Sequence, residues 1–263
     1  MKFFAAVSSV VMSACLMFGA NTAHADQLES IQQKGVLKVA VPQDFPPFGS
    51  VGTDLKPQGY DIDMASYLAE KLNTKLELIP VTSANRIPYL QTGKVDLVIS
   101  SMGKNTEREK VIDFSSAYAP FYLGVFGADG EAVSNAEDLS GKIVGVTRGS
   151  VEDLELSKIA PSDTTIKRFE DNNATLSSFL SGQVSLIATG NLVVTEIATR
   201  YPAKAPQTKF LLKNSPCYVG VMKGEDALLK EVNRLISEAK NDGVLEKFSQ
   251  KWLKAPFPAD LGA

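Results

Sequence analysis

From Val36 onward the chain alternates two kinds of apolar spacing. Strand patterns are read over residues 36–41, 76–80, 95–100, 142–147, 165–170, 184–189, 210–213 and 218–222, and the short apolar run Leu97-Val98-Ile99 suits a strand covered on both faces. Between them, apolar residues three and four apart predict helices over 59–72, 85–91, 151–159, 174–180, 192–200, 226–240 and 244–253. The clearest helix is 59–72, where Ile62, Ala65, Leu68, Ala69 and Leu72 share one face and Asp61 is placed to cap the start. Residues 111–115 and 118–126 carry the chain out of a first layer, and a second series begins at Ser134, which with Glu137 has capping-box spacing. Alternation of this kind favours parallel sheets with right-handed crossovers, and two series predict two α/β lobes.

In such sheets ligands bind beyond the carboxyl ends of strands, which directs attention to the loops after Val41, Ile99, Val146 and Ala188. The richest is the stretch 97–115, LVISSMGKNTEREKVIDFS, where a buried strand runs into Ser100, Ser101 and Gly103 and then into a helix start. Gly103 lets the backbone pass close to a ligand, and Thr106 with Glu109 has capping-box spacing. Arg108 falls in the first turn of that helix. A cation at the positive end of a helix is unfavourable on dipole grounds, so its presence points to an anion beside it. Arg148, Gly149 and Ser150 form a second strand-to-helix turn in the other lobe, again with amides and a hydroxyl suited to an anion. After the first strand comes a Pro-braced aromatic loop, residues 43–49, in which Phe45 and Phe48 either hold a ring against a ligand or plug the core. Arg86 could reach a ligand from its helix start, or form a solvated surface pair.

Composition narrows the chemistry. With 263 residues and 44% hydrophobic content the chain can bury a substantial core. Residues 1–25 stand apart: Lys2, a largely apolar stretch from Phe3 to Phe18, and Ala23-His24-Ala25 as a small-x-small cleavage site predict a signal peptide removed before Asp26. A retained anchor, or lipidation at Cys15, is the alternative. Cleavage removes the only His and leaves Cys217 as the one thiol, so a Ser-His-Asp triad, a His-ligated metal and an internal disulfide are all excluded from the mature chain. The mature balance is 26 basic residues (27 − 1) against 30 acidic, a net −4 without a long basic run, which argues against nucleic acid as a partner. After residue 25 no apolar segment reaches about 18 residues, so no transmembrane helix is expected.

Three segments in order, GYDIDMASYLAEKL at 59–72, the T-x-R-x-K-x-I-D-F-S pattern from Thr106 to Ser115, and LISEAKNDGVLEKFSQKWL at 235–253, give the chain a resemblance to the periplasmic substrate-binding proteins of ABC importers that take up polar amino acids, solute-binding protein family 3. The similarity runs from about Gly35 to Leu253. It implies a type II periplasmic binding protein fold: lobe 1 from residues 26–126 and 213–263, lobe 2 from 127–212, and a hinge of two crossings. It also implies a periplasmic monomer that captures a small carboxylate ligand by hinge closure and delivers it to a membrane permease, without a cofactor or metal. Matched residue by residue, the resemblance assigns Phe45 to stacking on the ligand, Arg108 to its α-carboxylate, and Ser101 and Gly103 to the ammonium and carboxylate. Ser150 falls to the carboxylate contact from lobe 2, and Gly149 beside it stays a ligand-binding candidate from the turn chemistry alone.

Two departures bear on the ligand. Gly103 removes a hydroxyl often present in the family, and Gly190 stands where the family places an Asp that receives the α-ammonium. A charge-assisted contact is roughly twice as strong as a neutral one, so the loss is substantial. Either Asn191 substitutes through its amide oxygen, or another acid serves, or the ligand lacks a free α-ammonium. An enzymatic alternative exists, since relatives on this scaffold act as cyclohexadienyl or arogenate dehydratases. That chemistry needs an acid or base in the cleft, for which Asp44, Glu152 and Glu196 are the candidates. Arg86 or Arg148 in the cleft would favour an acidic or otherwise anionic compound, whereas their exposure elsewhere would favour a neutral one.

Overall fold

The computed structural model describes residues 26–261. The signal peptide expected over 1–25, with Cys15 and His24, lies outside the described residues. No helix among those described is long and apolar enough to cross a membrane.

The first part of the chain forms α1 (Gln27–Lys34), β1 (Val36–Val41), β2 (Asp44–Phe45), β3 (Gly49–Val51), β4 (Pro57–Gln58), α2 (Tyr60–Lys71), β5 (Lys75–Pro80), α3 (Arg86–Gln91), β6 (Leu97–Val98), α4 (Thr106–Glu109) and β7 (Ile112–Ala119). The second series is β8 (Tyr122–Gly127), β9 (Ile143–Thr147), α5 (Val151–Ile159), β10 (Thr165–Phe169), α6 (Asn172–Leu180), β11 (Leu186–Gly190), α7 (Asn191–Arg200) and β12 (Gln207–Asn214). The chain then returns with β13 (Cys217–Met222), α8 (Asp226–Asn241) and α9 (Val244–Phe248), the last continuing as a π-wound turn through Leu253.

These elements build two sheets with helices on their faces, ordered β5-β1-β6-β13-β7 and β10-β9-β11-β8-β12, and a small sheet β2-β3-β4. The sheets are mixed, not all parallel. The return strand β13 runs antiparallel to β6 and β7, and β8 antiparallel to β11 and β12. Strand direction at these positions follows from which way the chain re-enters a sheet, which periodicity does not record.

Two-sided burial explains the continuous apolar runs. Strand β1 sends Leu37, Val39 and Val41 to the core shared with α2 and α8, and Ala40 to the core on the other face with Leu90 of α3. In the second lobe Ile187 and its neighbours Leu186 and Ala188 divide between two cores in the same way.

The chain passes between sheets at residues 120–121 and 215–216, earlier on the way out than the sequence suggested. Residues 122–126 had been expected in the first lobe, but they pair with β11 and β12 of the second sheet. Residues 118–126 form one apolar stretch interrupted only by Pro120, and that proline is where the change of sheet occurs. The two crossings touch: Ser215 N donates to Phe121 O at 3.0 Å.

Several caps differ from expectation. Asn105, not Thr106, caps α4, accepting from Arg108 N at 2.9 Å. Asp61 does not cap α2, whose N-cap is Gly59 at φ 143°. Ser134 donates through both its amide and hydroxyl to Asp138 in place of a box with Glu137.

Candidate functional site

Where the two lobes meet there is a cleft of about 440 Å³, counting its mouth. Three of the four loops picked out by topology supply its walls: Pro42 and Phe45 after β1, Ser100 to Gly103 after β6, and Ser150 to Glu152 after β9. The loop after β11 does not reach it. Instead Ser83 and Arg86 enter from the β5–α3 connection, Asn172 from the start of α6, and Phe121, Leu123 and Ser215 from the crossings and β8.

The two aromatic alternatives resolve differently. Phe48 is fully buried and plugs the core. Phe45 lines the cleft, its ring 6.2 Å from Phe48 and set edge-on to Phe121 at 6.1 Å. Phe121 in turn meets Phe48 edge-on at 5.2 Å, so three interlocked rings hold the apolar wall rigid.

Ser101 sits at φ 41°, a left-handed conformation that costs a side-chain-bearing residue roughly 1 kcal/mol or more. What holds it is Asp61, whose carboxylate accepts from Ser101 N at 2.7 Å and from the Tyr118 hydroxyl. Burial pushes the Asp61 carboxyl up to about 7, against the pull of those two donors and of Arg86. The expectation of a helix cap at Asp61 is thus corrected: α2 carries the acid into the core to shape the loop beside the cleft.

Gly103 is a close-approach glycine. A Cβ there would lie 2.3 Å from Ser215 Oγ and 3.0 Å from Val151 Cγ2 of the other lobe. Gly149, at φ 71°, lets its turn pass within contact distance of Ala84 in lobe 1. Ser150 caps α5, its Oγ accepting from Asp153 N at 3.1 Å, and it lines the cleft.

Arg108 takes a different position from the one anticipated. It does not line the cleft itself. Buried to 5% exposure, its guanidinium donates to Gly103 O at 2.7 Å and to Gly149 O at 3.0 Å, so one side chain ties a carbonyl of each lobe. Burial, and then repulsion from Arg86, loosen its proton. Both carbonyls it holds belong to cleft-forming turns, so it braces the site from behind.

The arginine that enters the cleft is Arg86, at 4% exposure. Its Nε donates to Ser83 O at 3.2 Å and its Nη1 to Ser100 O at 2.7 Å, while Nη2 makes no hydrogen bond to any described residue. A buried guanidinium with part of its fork unspent is suited to a carboxylate. Arg148, the other candidate, is half exposed and pairs with Glu170 at 2.9 Å.

From the second lobe Glu152 reaches the cleft at 6% exposure. Burial raises its carboxyl, opposed by its own amide, the Ser150 hydroxyl and the charges of Arg86 and Arg108. Of the other acids named from sequence, Asp44 accepts from Asn172 N at 2.7 Å and Nδ2 at 3.2 Å, and Glu196 pairs with Arg200 along α7. Neither lines the cleft.

The expectation for Asn191 is also corrected. It lies outside the cleft, and its amide oxygen accepts from Tyr122 N at 3.1 Å. At Gly190 the reason for the missing side chain is steric: a Cβ there would sit 1.7 Å from Phe121 Cζ. The ring occupies the room that an Asp would need. Sequence reasoning missed Ser83, Phe121, Asn172 and Ser215, since none lies in the four loops it singled out; Phe121 and Ser215 fall in the crossings after β7 and β12. Ser215 Oγ is buried and has no hydrogen-bond partner among the described residues.

The lobes are drawn together across this site by the Asp44–Asn172 and Arg108–Gly149 bonds and by Lys213 Nζ, which donates to Lys104 O at 3.1 Å. The family model for bacterial extracellular solute-binding proteins, family 3, matches residues 37–255. The L-cystine-binding protein TcyJ of Escherichia coli K12 is 27% identical over 251 residues, covering 93% of this chain and 94% of its own. The ABC transporter glutamine-binding protein GlnH of Bacillus subtilis 168 is 27% identical, covering 93% of each chain. Among solved structures, the cysteine-binding protein of Campylobacter jejuni superposes with a TM-score of 0.82 at 25% identity, over 89% of this chain and 96% of its own. The two-lobed α/β architecture is that of the type II periplasmic amino acid-binding proteins.

Proposed function

Because the chain belongs to the bacterial extracellular solute-binding proteins, family 3, we propose that it is an exported amino acid-binding protein that closes on its ligand and presents the closed form to an ABC permease. The observation that carries this reading is the buried, partly unspent guanidinium of Arg86 in a crevice walled by both lobes. An anionic group placed there would be held from lobe 1 by Arg86 and the Ser101 turn and from lobe 2 by the start of α5. Phe45 and Phe121 would cover the rest.

Closure follows from the same geometry. Asp44–Asn172 and Arg108–Gly149 form only when the lobes meet, so a ligand that bridges the cleft adds its own contacts to theirs and shifts the open-to-closed equilibrium. The crossings at residues 120–121 and 215–216 are the hinge, and residues 26–119 with 217–261 are the first lobe. A signal peptide over 1–25 delivers the chain to the periplasm, where it acts as a monomer. No bond of the ligand is broken. The dehydratase alternative has lost Asp44 and Glu196 as cleft acids, which leaves Glu152 alone.

The test is thermal-shift and calorimetric screening of the mature chain against the standard amino acids, dicarboxylates, prephenate and arogenate. A binder at a hundredfold excess over its Kd stabilises by about 2.7 kcal/mol, a Tm rise of roughly 5–10 °C for a chain of this size. Arg86→Ala is expected to abolish the shift, and Arg108→Ala to weaken it by roughly tenfold or more through the lost brace. No response to any amino acid, or an aromatic product from prephenate or arogenate, would overturn the reading.

A further inference from the structure

The charges lining the cleft can be counted. Among the described residues that line it there is one cation, Arg86, and one carboxylate, Glu152. Each feels the other's charge, yet no hydrogen bond or ion pair within 4.0 Å joins them. Other charged groups nearby are committed elsewhere: Arg108 to two carbonyls, Asp44 to Asn172, and Asp61 to Ser101 N and Tyr118. The position that would otherwise hold an acid, Gly190, is closed by the Phe121 ring. Glu152 is therefore the one anion the cleft walls offer to a bound cation. In the same cleft the unpartnered Ser215 Oγ, at 3% exposure, supplies a hydroxyl where Gly103 withholds one, and a Cβ at residue 103 would lie 2.3 Å from it.

We infer that the cleft is specific for a zwitterion whose side chain is uncharged: Arg86 takes the α-carboxylate, Glu152 the α-ammonium, and Ser215 Oγ a further polar contact. The inference rests on the amino acid-binding reading above and narrows it. A dibasic amino acid would bring a second cation with no second carboxylate to meet it. A dicarboxylic one would bring a second anion with the only other nearby guanidinium already spent. Either leaves a desolvated charge without a partner, which is the costliest arrangement a buried site can hold.

The experiment is calorimetry of the mature chain with L-alanine, L-leucine, L-phenylalanine and L-glutamine against L-arginine, L-lysine, L-glutamate and L-aspartate. The first three are then compared with their 2-hydroxy acids, on wild type and on Glu152→Gln. An uncharged amino acid is expected to bind at least about tenfold tighter than all four charged ones, and exchanging its ammonium for hydroxyl to cost on the order of a hundredfold. In Glu152→Gln the amino acid should lose a similar factor while the hydroxy acid loses little, so the ratio collapses. Ser215→Ala, which removes one uncommitted hydroxyl, should weaken binding several-fold with an unchanged Tm.

A charged amino acid as the tightest binder, or equal losses for amino acid and hydroxy acid in Glu152→Gln, overturns this inference and leaves amino acid binding intact. Silence from all eight amino acids overturns both. Should Glu152→Gln not fold, the wild-type ranking of charged against uncharged amino acids decides the matter by itself.

Discussion

Replacing Gly190 with alanine adds one methyl group where the Phe121 ring already lies. An added Cβ would be 1.7, 2.2 and 2.8 Å from Cζ, Cε2 and Cε1 of that ring. Ordinary contact begins near 3.4 Å, so the ring must withdraw by at least 1.7 Å (3.4 − 1.7). Behind it stand Phe45 and Phe48, both edge-on, and the backbone oxygen of Phe121 is tied to the other crossing through Ser215 N. Overpacking of this kind costs roughly 1–3 kcal/mol, which at about 2–4 °C per kcal/mol predicts a Tm loss on the order of 3–10 °C.

Phe121→Ala alone should cost about 3–5 kcal/mol through the cavity it opens. In the double variant the new methyl falls into that cavity, so the pair should be no less stable than Phe121→Ala. The coupling would then cancel most of the alanine penalty at residue 190. Thermal denaturation followed by circular dichroism on all four proteins closes this cycle. A Gly190→Ala protein that melts within 1 °C of wild type, or strict additivity, would refute the reasoning. It would mean that the ring yields freely, and the closed end of β11 could then accept an acid after all.

Asp61 predicts a pH dependence. Its carboxyl is raised from the ordinary value of 3.8 to about 7, so the folded state binds its proton more tightly than the unfolded chain does. That contribution to stability is fully present below pH 3.8 and is lost as pH rises through about 7, at up to about 1.4 kcal/mol per pH unit. Urea denaturation from pH 5 to 8 should therefore show a decline in wild type that Asp61→Asn flattens. Equal slopes in the two proteins would remove Asp61 as its source. Arg148→Ala, which breaks only the exposed pair with Glu170, should leave amino acid affinity within about twofold and Tm within roughly 2 °C. A tenfold loss in the same titration would put Arg148 in the site and undo the charge count.

The departure from the family at Gly190 was legible in the residues, but its meaning was not. A missing carboxylate reads as a missing contact until a ring from another part of the chain is found filling its space. Arg108 shows the same limit. Its place at a helix start beside a strand end was visible, whereas its hydrogen bonds to one carbonyl from each lobe depend on how closely the lobes meet. Asn105 and Thr106 are both competent caps one residue apart, so the choice between them was a matter of local φ and ψ that composition does not carry.

By itself the sequence determined the main strands and helices and their two series, though not α1 or the small sheet β2-β3-β4. Strands buried on both faces are apolar on both, as at Leu97 and Val98 of β6, and helices buried on one face repeat every three or four residues, as in α2. Both constraints act along the chain, where neighbours are known. Which cation faces the cleft, which acid remains unspent there and which glycine is crowded by a ring were decided only in three dimensions. Those outcomes depend on groups far apart in the chain: Gly190 meets Phe121 only once β11 has paired with β8, and Arg86 faces Glu152 only once the lobes have packed.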